Sequence, residues 1–312
     1  MSRHWANLGE TTFVGGTWFL YAVYRLLGRL PFRLCLYPVV LAWWLGSGNA
    51  RRASLDYLRR LQASQRVFPR EPGMRESLRH FLLFAETLLD KMLAIGARYP
   101  RRRIAMSGHQ PVLDAVRAGQ GGVIATAHMG CLELMQVAAQ WREGFRLTIL
   151  VHSAHAQRFN RILSRLNPAS GVQLLQVTDF SPAMAMLLAD RVAAGEFIAI
   201  AADRVPVRGD RTCRANFLGA DADFPAGPWL IASLLRCPVW ALSCLHEGEG
   251  YHARLAPLFA HIELPRGQRQ QALDACAAAF ADWLTGCLRQ SPLDWFNFYD
   301  FWTPHADARN AR

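Results

Sequence analysis

Two hydrophobic periodicities divide the chain. Between residues 49 and 98 apolar positions recur at helical spacing. "NARRASLDYLRRLQAS" (49–64) and "ESLRHFLLFAETLLDKMLAIGAR" (76–98) both show it, with Leu78, Phe81, Leu82 and Ala85 on one face. From about residue 121 the texture changes to short, continuous apolar runs: "GGVIATAH" (121–128), "RLTILVHS" (146–153), "VQLLQV" (172–177), "EFIAIAAD" (196–203) and "PVWALSCLHEG" (238–248). Helical stretches separate them. Strands that are apolar on both faces belong to a sheet buried on both sides, so the pattern predicts an α/β fold. Its centre is a mostly parallel mixed sheet covered by helices on both faces. "HEGEGYHARLAPLF" (246–259) reads as a turn between two strands, which makes part of the sheet antiparallel. A last amphipathic helix is expected over 267–289, followed by the aromatic tail "PLDWFNFYDFW" (292–302), read chiefly as core packing.

The first 48 residues are different again. "TFVGGTWFLYAVYRLLGRL" is interrupted by Arg25 and Arg29, and "PFRLCLYPVVLAWWLGSG" holds about 13 apolar or small residues over 34–46. Each falls short of the roughly 18–20 uninterrupted apolar residues that a spanning helix needs. Their Trp and Tyr content, with Arg51 and Arg52 following, suits helices seated at a bilayer interface. Two buried helices of a soluble core satisfy the same pattern. No cleavable signal peptide is evident. With no repeat, linker or low-complexity tract, the chain divides into an apolar membrane-associating segment (1–48) and a single domain (49–312).

Charge narrows the range of partners. The net charge is +11, from 35 basic against 24 acidic residues, an excess that favours anionic partners. The basic residues are mostly scattered arginines with no stacking-aromatic module or helix-turn-helix pattern, so nucleic acid is not expected. The seven cysteines are odd in number and lack a C-x-x-C pair, which argues against a disulfide framework. With no HExxH, Cys/His cluster or acidic loop, no metal is expected.

Three stretches carry candidate chemistry. In "HMGCLE", His128 ends an apolar strand, Gly130 permits a tight turn, and Glu133 follows five residues after the histidine. Five residues of continuous helix rotate by about 500°, so the two side chains meet only across a strand end and the start of a helix. There, Glu133 could accept a hydrogen bond from one ring nitrogen and leave the other free as a general base. In "AIAADRVPV" (199–207), Asp203 and Arg204 stand directly after another apolar strand. Ligands of open α/β sheets bind at strand carboxyl ends, so this pair could share a crevice with His128. In "FPAGPW", Phe224 leads through Gly227 and Pro228 into a helix whose free N–H groups could hold a phosphate or an oxyanion. Each stretch alone is also compatible with ordinary strand ends and turns.

In this order the three stretches resemble the lysophospholipid acyltransferase superfamily, and more closely its lipid A biosynthesis (late acyltransferase) branch, including relatives of the aryl-polyene-cluster type. "HMGCLE" matches the H-x-x-x-x-(D/E) motif, "FLG" with "FPAGP" the downstream block, and "AADR" the intervening strand end. Asn160 and Arg158 in "HAQRFNRIL" match more loosely. Glycerol-phosphate acyltransferases of the wider superfamily carry F-P-E-G-T at the downstream block. Ala226 and Pro228 replace its Glu and Thr here, which weakens a glycerol-phosphate acceptor without weakening acyl transfer.

The resemblance implies an acyltransferase that needs no cofactor. It would take its acyl group from acyl-carrier protein or acyl-CoA and pass it to a hydroxyl of a lipid or glycolipid. His128 and Glu133 are the expected catalytic pair, with Asp203, Arg204, Phe224, Gly227, Pro228, Asn160 and Arg158 binding substrate. The implied location is the membrane surface on the cytoplasmic face of a bacterial inner membrane, and the aromatic tail would then be a possible acyl-chain wall. A thioesterase or esterase using the same pair, or a non-catalytic basic lipid-binding protein, are the alternatives.

Overall fold

A computed structural model describes residues 14–135, 145–151, 172–176, 181–205 and 211–302. Four helices open it: α1 (Val14–Leu27), α2 (Arg29–Gly46), α3 (Gly48–Gln65) and α4 (Met74–Ile95). The strands follow: β1 (Ile104–Ser107), β2 (Gly122–Thr126), β3 (Leu147–Val151), β4 (Val172–Gln176), β5 (Phe197–Ala201), β6 (Thr212–Phe217), β7 (Ala220–Pro225), β8 (Val239–Glu247) and β9 (Gly250–Phe259). Interleaved with them are α5 (Gln110–Arg117), α6 (Pro182–Ala193), α7 (Gly227–Leu235) and α8 (Arg269–Gln290).

Seven strands form one sheet in the order β1-β9-β8-β2-β5-β3-β4, and β6 and β7 form a separate hairpin. From β8 through β2, β5 and β3 to β4 every pairing is parallel. β9 returns antiparallel to β8, with β1 parallel to β9 at that edge. The mixed, mostly parallel sheet expected from the apolar runs is therefore present.

Alternation along the central strands splits the interior into two cores. Val123 and Ala125 of β2, Ile198 and Ile200 of β5, and Val239 of β8 face a core filled by α3, α6, α7 and α8. Ile124, Phe197, Ala199, Trp240 and Leu242 face the other, filled by α2, α4 and α5. Helices thus cover both faces. At roughly 25 cal/mol per Å² of apolar surface removed from water, this two-sided burial is the main force holding β2 at the centre.

The arginines that interrupt the N-terminal apolar stretch have an inward role. Arg29, Arg33 and Tyr37 recur every fourth residue and form one stripe along α2. Arg29 lies 3.1 Å from Asp90 and 3.4 Å from Glu86, Arg33 lies 2.8 Å from Glu86, and the Tyr37 hydroxyl donates to Glu86 at 2.7 Å. Tyr251 of β9 donates to Asp90 at 3.0 Å, so the same carboxylates tie α2 and α4 to the sheet. Burial raises the proton affinity of Asp90 against the pull of Arg29, whereas the contacts with Arg33 and Tyr37 lower that of Glu86 despite its own burial. Phe32, Leu36 and Val40 bury the neighbouring stripe of α2. Away from that stripe Phe19, Leu26, Leu27, Leu30, Leu34 and Leu45 are exposed, Leu26 at 82%. Among the described residues no single helix is long and apolar enough to cross a membrane, and α2 with α3 passes that test only as a pair bent by 93°.

Candidate active site

Strand register brings the site together. Parallel pairing matches Thr126 of β2 with Ala201 of β5, and the Ala202 N–H continues the ladder to the Thr126 carbonyl at 2.8 Å. Two residues beyond each matched position stand His128 and Asp203. Both therefore emerge side by side at the carboxyl end of the central strand, where ligands of open α/β sheets bind. His128 Nδ1 is 2.8 Å from Asp203 Oδ1, and the His128 backbone N–H donates to Oδ2 at 2.9 Å. Trp295 Nε1 donates to the same Oδ2 at 2.9 Å. Asp203 is 1% exposed, while the His128 side chain keeps 39% of its surface open.

The tautomer follows from this geometry. An ionised carboxylate only accepts, so the proton on the imidazole sits at Nδ1 and Nε2 is left unprotonated, with no hydrogen bond to it among the described residues. Burial opposes the Asp203 charge, yet His128, Arg204 and the Trp295 bond outweigh it and hold its pKa down at about 2. The His128 pKa is lowered from its ordinary 6.5, first by desolvation and then by the nearby Arg204 charge, against the attraction of Asp203. Desolvation and Arg204 thus favour the neutral imidazole.

Glu133 does not make the bond expected of it. Its Oε1 accepts from Lys91 of α4 at 3.0 Å, and its Oε2 lies 3.9 Å from the Cys131 thiol. The turn after Gly130 aims Glu133 toward α4, while the neighbouring parallel strand supplies Asp203 at closer quarters. Its pairing with Glu133 raises the Lys91 pKa although burial opposes the charge. Cys131, though three residues from the histidine, is buried and its thiol pKa is pushed far up, so it is no ready nucleophile. All seven cysteines are free.

Gly130 is required here. Its φ is +50°, and a Cβ on it would lie 1.9 Å from the Cys244 carbonyl oxygen. The two backbones pass that closely because Cys131 N–H bonds Cys244 O at 3.0 Å and Gly130 N–H bonds Asp294 O at 2.9 Å.

Other expected residues fall as follows. Arg204 stands beside Asp203, donates to the Phe296 carbonyl at 3.2 Å and lies 5.8 Å from the Tyr299 ring. Phe224 is fully buried in β7 among Phe217, Phe280 and Phe301. Pro228 occupies the first turn of α7 as expected, with Gly227 exposed before it. No hydrogen bond joins these three to His128 among the described residues. Asn160 and Arg158 lie outside the described residues.

Several groups around His128 and the tail that crosses it were not singled out as polar groups in the sequence. They are Lys91, the indole N–H of Trp295, and a second His–Asp clasp at the end of β8. In that clasp His246 N–H bonds Asp294 Oδ2 at 2.7 Å and its ring Nδ1 lies 2.6 Å from Oδ1. The available signal was an Asp and an Asn set inside the otherwise aromatic tail.

An imidazole hydrogen-bonded to a buried carboxylate thus stands at the end of the central strand of a two-sided α/β sheet. The chain belongs to the bacterial lipid A biosynthesis acyltransferase family, whose model matches residues 8–303. It is also similar to the phosphatidylinositol mannoside acyltransferase of Mycolicibacterium smegmatis (strain ATCC 700084 / mc(2)155), 24% identical over 200 residues. That match covers 64% of this chain and 62% of the relative, so less than two thirds of the curated relative's length is spanned.

Proposed function

We propose that the chain transfers a fatty acyl group from an acyl thioester to a hydroxyl of a lipid or glycolipid, with His128 as general base and Asp203 as the carboxylate that orients it. The observation that carries this reading is the His128–Asp203 pair with Nε2 left free, in a chain of an acyltransferase family. Nε2 takes the hydroxyl proton as the oxygen attacks the thioester carbonyl. The tetrahedral intermediate collapses with loss of the thiolate, which receives the proton back from the imidazolium. Asp203 stabilises that imidazolium without itself becoming protonated. Arg204 and Lys91, whose charges both act on the ring, would by their charge favour a developing oxyanion near it. Glu133 balances Lys91 and so acts on the base indirectly.

Acyl-carrier protein and acyl-CoA are both acidic donors that suit a charge of +11. Substrate contacts at Phe224, Gly227, Pro228, Asn160 and Arg158 belong to the same proposal. The relative acts, by its name, on a phosphatidylinositol mannoside, which favours a sugar or polyol hydroxyl on a lipid as the acceptor here. The exposed leucines of α1 and α2 would seat the protein on a bilayer, at the cytoplasmic face of a bacterial inner membrane where thioester donors are made.

The test is mass spectrometry of reactions holding acyl-carrier or acyl-CoA thioester and vesicles of a bacterial lipid extract, with wild type and His128→Ala in parallel. A new acylated lipid with wild type alone is expected. Free fatty acid in place of acylated lipid would assign hydrolysis instead, and equal turnover by the two proteins would remove His128 from the mechanism.

A further inference from the structure

The tail segment after α8 returns across the ends of both strands that carry the dyad. Trp295 forms an antiparallel bridge with Met129, and the Phe296 N–H donates to the His128 carbonyl at 3.0 Å. Asp294 anchors the segment in front through its clasp on His246, and its carbonyl accepts from Gly130. Behind, the Phe296 carbonyl accepts from Arg204. The Trp295 carbonyl is itself held, by His80 Nε2 at 2.9 Å. This carbonyl can only accept, so Nε2 carries the proton and Ser54 Oγ donates to Nδ1 at 3.0 Å. His80 is fully buried, and burial pushes its pKa down to about 4, so it keeps this neutral bonding pattern through the physiological range.

The indole is fixed from every side. It is 1% exposed, with edge-on contacts to Tyr57, Phe217, Phe301 and Trp302 at centroid distances of 5.0, 5.4, 5.0 and 6.2 Å. A ring held this firmly presents its N–H to Asp203 Oδ2 at one angle only. The carboxylate has two fixed donors on Oδ2, the indole and the His128 backbone N–H, and this leaves Oδ1 aimed at the imidazole.

We propose that Trp295 is a positioning residue for the base: its N–H fixes the rotation of the Asp203 carboxylate and, through it, the direction in which His128 Nε2 points. The residue touches no reacting atom in this scheme. The inference rests on the acyl-transfer reading of the same site and assigns to the tail a part in it beyond packing.

A purely structural tryptophan and a positioning one make different predictions. The indole bond draws charge away from Asp203 and lowers its proton affinity. Without that bond the carboxylate turns more of its charge toward the ring, and His128 holds its proton to higher pH. The other charged and titratable groups acting on the dyad are Arg204, Lys91 with its partner Glu133, and Tyr299 in the tail. All of them stay in place when only the indole N–H is removed.

The experiment compares full-length wild type, Trp295→Phe, and protein carrying 3-benzothienylalanine at 295, which keeps the bicyclic shape and replaces N–H by sulfur. Trp302→Phe is the control, because it thins the same aromatic cluster while losing a bond to the Phe217 carbonyl and weakening a contact with Arg60, both away from Asp203. Both replacements at 295 are expected to lower kcat by about tenfold to 100-fold with KM held, the usual worth of a hydrogen bond to a charged group. They should also move the acid limb of the kcat profile to higher pH. An NMR titration of the His128 imidazole should move in the same direction, and Trp302→Phe should leave the limb in place. An unmoved limb and titration with the benzothienyl residue, or the same shift from Trp302→Phe, would overturn the assignment. Equal turnover by wild type and His128→Ala would remove His128 as the base and overturn the catalytic part of this assignment, while the NMR titration would still report separately whether the Trp295 N–H sets the proton affinity of the His128–Asp203 pair.

Discussion

Replacing Asp203 by asparagine tests the dyad most directly, because shape is conserved and only the bonding logic changes. Three N–H groups converge on the carboxylate: the His128 backbone, the His128 ring and the Trp295 indole. Asparagine offers one oxygen. Two of the three donors are fixed by the strand end and the aromatic cluster, so the amide oxygen is expected to stay with them and the NH2 to face His128 Nδ1. The ring must then accept at Nδ1 and carry its proton on Nε2, which leaves no base for the acceptor. The equivalent change in a Ser-His-Asp triad lowers kcat by about 10⁴, or ~5 kcal/mol of barrier, through the wrong tautomer, and a similar loss is expected here.

Stability should fall much less. The native pKa of about 2, against 3.8, corresponds to roughly 2 kcal/mol of stabilisation. It is fully present above the unfolded value and is lost as the pH falls toward the folded one. That loss is within the ~5–15 kcal/mol margin of ordinary domains, so Asp203→Asn should remain folded. Acyl transfer at saturating donor and acceptor, with circular dichroism on the same samples, measures both quantities. Glu133→Gln belongs in the same assay, since Glu133 is bonded to Lys91 and should cost far less turnover. A folded Asp203→Asn enzyme with near-normal kcat, beside an inactive Glu133→Gln, would refute the reasoning and return the orienting role to Glu133.

Two further outcomes follow from the same geometry. The acid limb of the pH–rate profile should fall below 6.5, because burial and Arg204 disfavour the imidazolium, and Arg204→Gln should move it upward; a wild-type limb above 6.5 would contradict this environment for His128. Gly130→Ala should lower the melting temperature and soluble yield sharply. A methyl group cannot share space with the Cys244 carbonyl at 1.9 Å, so calorimetry showing an unchanged transition would mean that this crossing of backbones is not as described.

The sheet was legible because its central strands are apolar on both faces. "GVIAT" and "FIAIA" announce burial between two helical layers without any help from alternation. Strand β1, four residues long and directly after an arginine triplet, is too short for any pattern. The β6–β7 hairpin was missed because its buried residues alternate correctly but are mostly small, as in Cys213, Ala215 and Ala222, so their hydrophobic signal is weak. At the site, His128 and Asp203 could each be picked out as polar residues ending apolar strands. Their pairing could not, since 75 residues separate them and only the β2–β5 register sets them level. Spacing within "HMGCLE" pointed to Glu133 instead, because sequence distance says nothing of which way a turn throws its side chains. Trp295 was counted among the packing aromatics, and it does pack. Its single polar atom is visible only when the ring has neighbours on all other sides.

The route of the tail also sets an order of events in the making of the protein. Both members of the dyad follow directly on strands that can pair as soon as β5 has been synthesised, but the N–H that holds Asp203 arrives 92 residues later. The chain grows from its N-terminus at about 5–20 residues per second, so the sheet has seconds to assemble before residue 295 exists. A polypeptide released before Asp294 would possess the histidine and the aspartate, yet the His128 carbonyl, the Gly130 N–H and the free edge of Asp203 would all lack their partners. The alignment of the His128–Asp203 pair is thereby deferred to the last stretch of translation, and an unfinished copy holds the pair without the donor that fixes its carboxylate.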